Sequence, residues 1–176
     1  MAGSKSKNKG KGFEREVCNF LGDLFEDSFT RVPDSGAFTG GKNAFRRNTL
    51  TEGQIRAHKG DIIPPDDWKY LNAECKNYAE FPFHRLFWNE RVPLLEAWLE
   101  QTLDAADEGD VNVLFMKFNR IGRYVAFDLT TGKDFVTNRS LDYKCESGLT
   151  WRITHFEDFF QLNADAFKEI CINSIK

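Results

Sequence analysis

The 176-residue chain has no apolar run approaching the roughly 20 residues needed to span a bilayer, so the expectation is a protein that does not sit in a membrane. Residues Met1 to Gly12 hold Lys5, Lys7, Lys9 and Lys11 with no apolar segment behind them, which is the wrong pattern for a secretory signal. A cytoplasmic location is expected, the host cytoplasm if the protein is viral. The four cysteines, Cys18, Cys75, Cys145 and Cys171, form no CxxC pair and have no histidine at zinc-ligand spacing. A zinc site is thereby disfavoured, and in a reducing compartment free thiols are expected rather than disulfides. No internal repeat is present, and the length suits one ordinary domain rather than two.

An excess of positive charge is also missing: 24 Lys and Arg stand against 27 Asp and Glu, a net charge of −3. The distribution is uneven. Residues 1–60 carry eleven basic side chains against seven acidic ones, while the remainder is acidic. A face for a polyanion would therefore be built from the first third of the chain. On charge alone, a solvated basic tail and loop fits equally well.

What is present reads as alternating helical and extended segments. Residues 1–12 are Gly, Ser, Lys and Asn with little to bury, and are expected to form a flexible basic arm. Phe13, Val17, Phe20, Leu21, Leu24 and Phe25 then recur at helical spacing. Phe29 to Val32 reads as a strand stopped by Pro33-Asp34-Ser35-Gly36. Residues 37–60, poor in aliphatics, read as a long loop insertion. A β-hairpin is expected from Asp61-Ile62-Ile63 across Pro64-Pro65 into Trp68 to Lys76. A second helix starts at Pro93 and runs to about Glu108-Gly109-Asp110. A buried strand from Val111 then pairs through the turn at 119–122 with Tyr124 to Leu129. An edge strand at Leu149 to Thr154 and an amphipathic helix with Phe159, Phe160, Leu162, Phe167 and Ile170 end the chain. The order predicts an α/β fold, one mixed central β-sheet flanked by helices. It is read as a single domain over 13–176 with a C-terminal extension from about residue 130.

Chemistry concentrates on few residues. In an extended 70–76 segment Glu74 and Lys76 lie on one face. A hairpin turned at Pro64-Pro65 brings Asp61 level with them, giving two carboxylates and an ammonium around one point, an arrangement suited to Mg²⁺. Glu-x-Lys alone is also a common surface pair. The weight comes from Asp61 and Glu74 ending otherwise buryable strands. On the helical wheel Glu14 falls about 60° from the centre of the apolar stripe, where a carboxylate is costly unless a metal or a lysine pairs with it. A boundary glutamate reaching water is the alternative. Arg15, Arg31 and Ser35 stand where phosphates flanking such a site could be met, though each alone reads equally as surface decoration.

Lys9-Gly10-Lys11-Gly12-Phe13-Glu14-Arg15-Glu16, Arg31, Ser35-Gly36, Gly60-Asp61-Ile62 and Ala73-Glu74-Cys75-Lys76 resemble, in order and type, the motifs of archaeal-type Holliday junction resolvases of the PD-(D/E)XK nuclease superfamily. Residues 113–118 and 122–127 look like that family's closing strand pair, so the resemblance spans roughly residues 9–129. It departs from the family in the 37–60 insertion and in the extension beyond about 130. The resemblance implies a restriction-endonuclease-like sheet and Mg²⁺, with Mn²⁺ able to substitute. Asp61, Glu74 and the Cys75 backbone carbonyl would be ligands, Lys76 would orient or deprotonate the attacking water, and Glu14 would complete the site. It also implies branched or duplex DNA as partner and a homodimer cutting two strands. Lys9, Lys11, Arg46, Arg47, Arg56 and Lys59 would join Arg15, Arg31 and Ser35 on phosphates. His58 is a substitute base, a ligand near Asp61, or an ordinary loop histidine. Three readings follow: a resolvase; a PD-(D/E)XK endonuclease or nickase of phage type acting on another substrate such as specific duplex DNA; and a non-catalytic DNA-binding module, which would have no need of the Asp, Glu and Lys set. Trp88, Trp98, Phe81, Phe83 and Phe87 serve either a subunit interface or the core.

Overall fold

The computed structural model of the chain describes residues 3–33 and 59–173, with side chains from residue 10 onward. Helix α1 (Gly3–Phe25) opens the fold. Its apolar stripe is buried as the spacing predicts, with Phe13, Val17 and Leu21 inaccessible. It starts at Gly3, however, so most of the stretch expected as an unstructured arm is helical. Lysines lose little rotamer freedom in a helix and extend one already nucleated downstream.

Two short strands, β1 (Thr30–Arg31) and β2 (Ile62–Ile63), pair antiparallel, Thr30 opposite Ile63 and Arg31 opposite Ile62. This corrects the hairpin expected across Pro64-Pro65: β2 pairs backwards with β1, not forwards. Two successive prolines remove ladder donors, and a turn is closed there by Trp68 N–H donating to the Pro65 carbonyl at 3.0 Å. Trp68, fully buried, then seats among Phe25, Phe29 and Phe167, with ring centroids 4.8, 4.9 and 6.0 Å away. That anchor directs the chain into the main sheet.

The main sheet holds β3 (Leu71–Tyr78), β4 (Val111–Phe118), β5 (Gly122–Asp128), β6 (Ser140–Lys144) and β7 (Thr150–His155), in the order β3-β4-β5-β7-β6. β3 and β4 run parallel and the other neighbours antiparallel. The parallel pair needs a crossover, which contains α2 (Phe83–Phe87) and α3 (Pro93–Asp104). Helix α4 (Phe156–Asn173) ends the described chain. The mixed α/β sheet flanked by helices is the architecture expected.

Local differences have local causes. Helix α3 stops at Asp104 and the chain turns through 105–110. The segment read as an edge strand is interior, because β6 covers it. β6 itself alternates, with Leu141 and Tyr143 turned away from solvent between exposed Ser140, Asp142 and Lys144, but it spans only five residues.

One sheet face, with Ala73, Cys75, Val113, Phe115 and Phe127, packs against α1 and α4; the other, with Leu114, Met116, Phe118 and Ile153, packs against α3. Residues beyond 130 supply Phe135, Phe156, Phe159 and Phe167 to the first core. Of the aromatics singled out between 81 and 98, Phe81 and Trp98 are buried, whereas Phe87 and Trp88 are 71% and 69% exposed. No helix among the described residues is long and apolar enough to cross a membrane.

Trp68→Ala removes a side chain that ties α1, the 65–68 turn and α4 together. It should cost about 3–5 kcal/mol of folding free energy, measured by urea denaturation.

Candidate active site

β3 is buried on both faces for most of its length, so any polar side chain on it must be held. Asn72, Glu74 and Lys76 alternate onto the α3 side. Asn72 donates through Nδ2 to the Thr102 carbonyl and to Asn112 Oδ1, both at 2.8 Å. Asn112 in turn donates to Asp128 Oδ2 at 3.3 Å. This chain of amides fixes α3 over β3.

One residue before Thr102, Gln101 completes a closed ring with the motif residues. Glu74 Oε1 accepts from Lys76 Nζ at 3.0 Å and from Gln101 Nε2, and Lys76 Nζ also donates to Gln101 Oε1 at 2.9 Å. Gln101 was not among the residues the motif suggested. Its signal lay in the helix register, three residues after Trp98 and seven after Leu94, which puts a polar amide on a sheet-facing row.

Asp61 reaches the site from the free edge of β3. Its N–H donates to the Ala73 carbonyl at 2.8 Å and its carbonyl accepts from Val32 N–H at 2.9 Å. Its Oδ2 accepts the Cys75 N–H at 2.8 Å. The N–H and C=O of a strand residue leave on the same side, so the Cys75 carbonyl also points to this edge. Gly60 makes the approach possible: it has φ +62°, and a Cβ there would lie 2.3 Å from the Ala73 oxygen. Asp61, Glu74, Lys76 and the Cys75 backbone thus stand together at this edge, by an edge contact and not by a hairpin.

Asp61 and Glu74 are 6% and 4% exposed. Burial, and then the nearby Asp61 carboxylate, push the Glu74 carboxyl up to about 8, against the pull of Lys76. Burial also pushes the Cys18 thiol up to about 11 and the Cys75 thiol well above its ordinary range. Neither sulfur is offered as a thiolate, and the donors at this point are hard oxygens.

Glu14 is buried, as the wheel predicts, but its partner is a cation: Arg31 Nε donates to Glu14 Oε2 at 2.9 Å. Among the described residues no three Asp, Glu, His or Cys side chains are gathered closely enough to hold one ion. Glu14, expected to complete the site, is held in this structure by the Arg31 guanidinium. Arg15 is exposed on α1. Lys59, expected on DNA phosphates, is 4% exposed and paired with Asp110 and, at 3.1 Å, with Asp107. It cannot serve as a surface contact. Ser35, Arg46, Arg47, Arg56, His58 and the side chain of Lys9 lie outside the described residues.

A five-stranded mixed sheet between helices, with an Asp, a Glu-x-Lys and an open strand edge, is a restriction-endonuclease-like architecture of the PD-(D/E)XK class. Residues 5–169 match the model of the family described as "Phage putative PDDEXK endonuclease", and the chain belongs to that family. It is a nuclease of the PD-(D/E)XK class, whose members generally use divalent metals. Neither a curated protein nor a solved structure matches it.

Because Glu74 carries a raised pKa, the folded chain retains a proton that the unfolded chain releases. The stability this group contributes is complete below about 4.5 and is lost as pH rises through about 8. The melting temperature of the metal-free protein should therefore fall between those pH values, and fall less in Glu74→Gln, as calorimetry at several pH values would show.

Proposed function

We propose that this chain is a Mg²⁺-dependent DNA endonuclease, with Mn²⁺ able to substitute, whose ion is held by Asp61, Glu74 and the Cys75 carbonyl. The observation that carries the reading is the pair of buried carboxylates at the free edge of β3, one of them kept protonated by burial and by the other's charge. Such a pair is costly without a cation, and an all-oxygen donor set suits a hard one. A divalent cation bound there would neutralise a non-bridging phosphate oxygen and lower the pKa of water.

The chain's own groups do the rest. Lys76, gripped by Glu74 and Gln101, presents its ammonium to the attacking water and to charge developing on the phosphate. Gln101 orients that ammonium. Glu14 acts through Arg31, holding the guanidinium where a phosphate oxygen would meet it. Lys9, Lys11, Arg15, Ser35, Arg46, Arg47 and Arg56 are the proposed contacts to flanking phosphates, so DNA affinity should fall steeply with salt. The narrower reading, resolution of four-way junctions, rests on the resemblance of residues 9–129 to resolvases. It requires two sites and hence a homodimer, for which the exposed Phe87 and Trp88 offer apolar surface.

The test is cleavage in Mg²⁺ of a four-way junction, a matched duplex and single-stranded DNA. Asp61→Ala, Glu74→Ala and Lys76→Ala should each slow cutting by roughly a hundredfold or more. Symmetric nicking of the junction alone supports the narrower reading, and cutting of plain duplex supports an endonuclease of other preference. Tight binding with no metal-dependent cleavage by the unmutated protein overturns the proposal. Gln101→Leu should shift the pH–rate profile while leaving DNA affinity unchanged, since Gln101 touches Lys76 and Glu74 and not the duplex-binding face.

A further inference from the structure

The Lys59–Gly60–Asp61 segment holds a buried ion pair that the chemistry above does not use. Lys59 Nζ sits against Asp110 Oδ2 and 3.1 Å from Asp107 Oδ2. Lys59 is 4% exposed and Asp110 3%. Asp110 Oδ2 also accepts the Asp107 N–H at 2.6 Å, so the acceptor is fixed within the α3–β4 turn before the lysine arrives. That turn is anchored to β3 in turn, since Val111 N–H donates to the Tyr70 carbonyl at 2.7 Å. The ammonium therefore ties the chain immediately before Asp61 to the start of the parallel β3–β4 pair.

We infer that Lys59 is a positioning residue: its buried pair with Asp110 sets where Asp61 meets the edge of β3, and so sets the affinity of the site for its divalent cation. The two residues after it have no slack. Gly60 lies in the left-handed region with the Ala73 carbonyl pressed against its Cα, and Asp61 is tied through its N–H, its carbonyl and its carboxylate. A shift at residue 59 is therefore passed on to residue 61 and strains its three ties, because Gly60, with the Ala73 oxygen in the space a Cβ would take, leaves little room towards the strand. A buried ammonium deprived of its carboxylate, or the reverse, will leave its place for water, and Asp61 will follow. The inference rests on the proposed role of Asp61 as a ligand.

The experiment titrates Mn²⁺ alone, without DNA, into the full chain by calorimetry. The variants are Lys59→Met, Asp110→Asn and the double variant, in which no charge is stranded; Asp61→Ala is the reference. If the pair positions Asp61, the double variant should bind Mn²⁺ roughly ten- to a hundredfold more weakly, the loss typical of removing an outer support of a metal ligand. Its metal concentration for half-maximal cleavage should rise in parallel, while DNA affinity measured in EDTA stays unchanged. Lys59→Arg, which keeps the charge, should recover most of the loss. Should Lys59→Met not fold, Asp110→Asn reads the same quantity. Unchanged Mn²⁺ affinity in the variants, with Asp61→Ala abolishing it, overturns this inference alone. Weakened DNA binding with unchanged metal affinity returns Lys59 to a phosphate-contact role. Mn²⁺ binding that survives Asp61→Ala overturns the assignment of the ligand itself.

Discussion

The hydrogen bond from the Cys75 amide to the Asp61 carboxylate is the constraint on which the site depends. It places an acid from outside the sheet against the edge of β3 that, among the described residues, has no neighbouring strand in the main sheet. An unpaired strand edge normally exposes a row of backbone donors and acceptors. Here Asp61 satisfies two of them, the Ala73 carbonyl and the Cys75 amide, and so turns an edge into a site. The Cys75 carbonyl, directed the same way, becomes available to a cation without further arrangement.

Three layers border this edge. Glu74 and Lys76 face α3, Asp61 stands at the edge, and Glu14 with Arg31 approaches from the α1 side. The parallel β3–β4 pairing makes this possible, because its crossover must contain a helix and that helix brings Gln101 over Glu74. The amide network from Thr102 through Asn72 and Asn112 to Asp128 holds the helix in register. Its buried amide bonds stiffen the contact between α3 and β3, although Asn72 Oδ1 is left without a partner, and rigidity is what a site of fixed charges requires. The residues beyond 130 belong to this logic as well, since their phenylalanines close the core beneath α1 and so fix the helix that carries Glu14.

The sequence showed much of this and misled in places that share a cause. Helical spacing over 13–25 was readable because the stripe faces one core, and that same spacing showed Glu14 turned inward. The strands at 111–118 and 122–128 were readable because burial on both faces leaves continuous apolar runs. The hairpin at Pro64-Pro65 was misread because strand pairing is non-local: nothing near Ile62 says that its partner is Arg31, some thirty residues earlier. Lys59 was misread for a related reason. A lysine in a basic, glycine-rich stretch looks like surface, and its burial depends on Asp110, about fifty residues downstream. Gln101 escaped because no motif includes it; only the packing of α3 against β3 brings it to Lys76.

The carboxylate pair also explains why the fold tolerates so much buried polarity near β3. Asp61, Glu74, Lys59, Asp110, Asn72, Asn112 and Asp128 are all nearly inaccessible, a density that a core built for stability alone would avoid. Each is held at one end by a side-chain or backbone partner, although Asn72 Oδ1 is buried without one. Glu74 differs in kind: its lysine is shared with Gln101, and a second carboxylate lies beside it. Glu74 stands at the strand edge where a cation and a phosphate would arrive. A buried carboxyl raised by its neighbour's charge marks function more specifically than the motif does, because a surface Glu-x-Lys pair would show none of it.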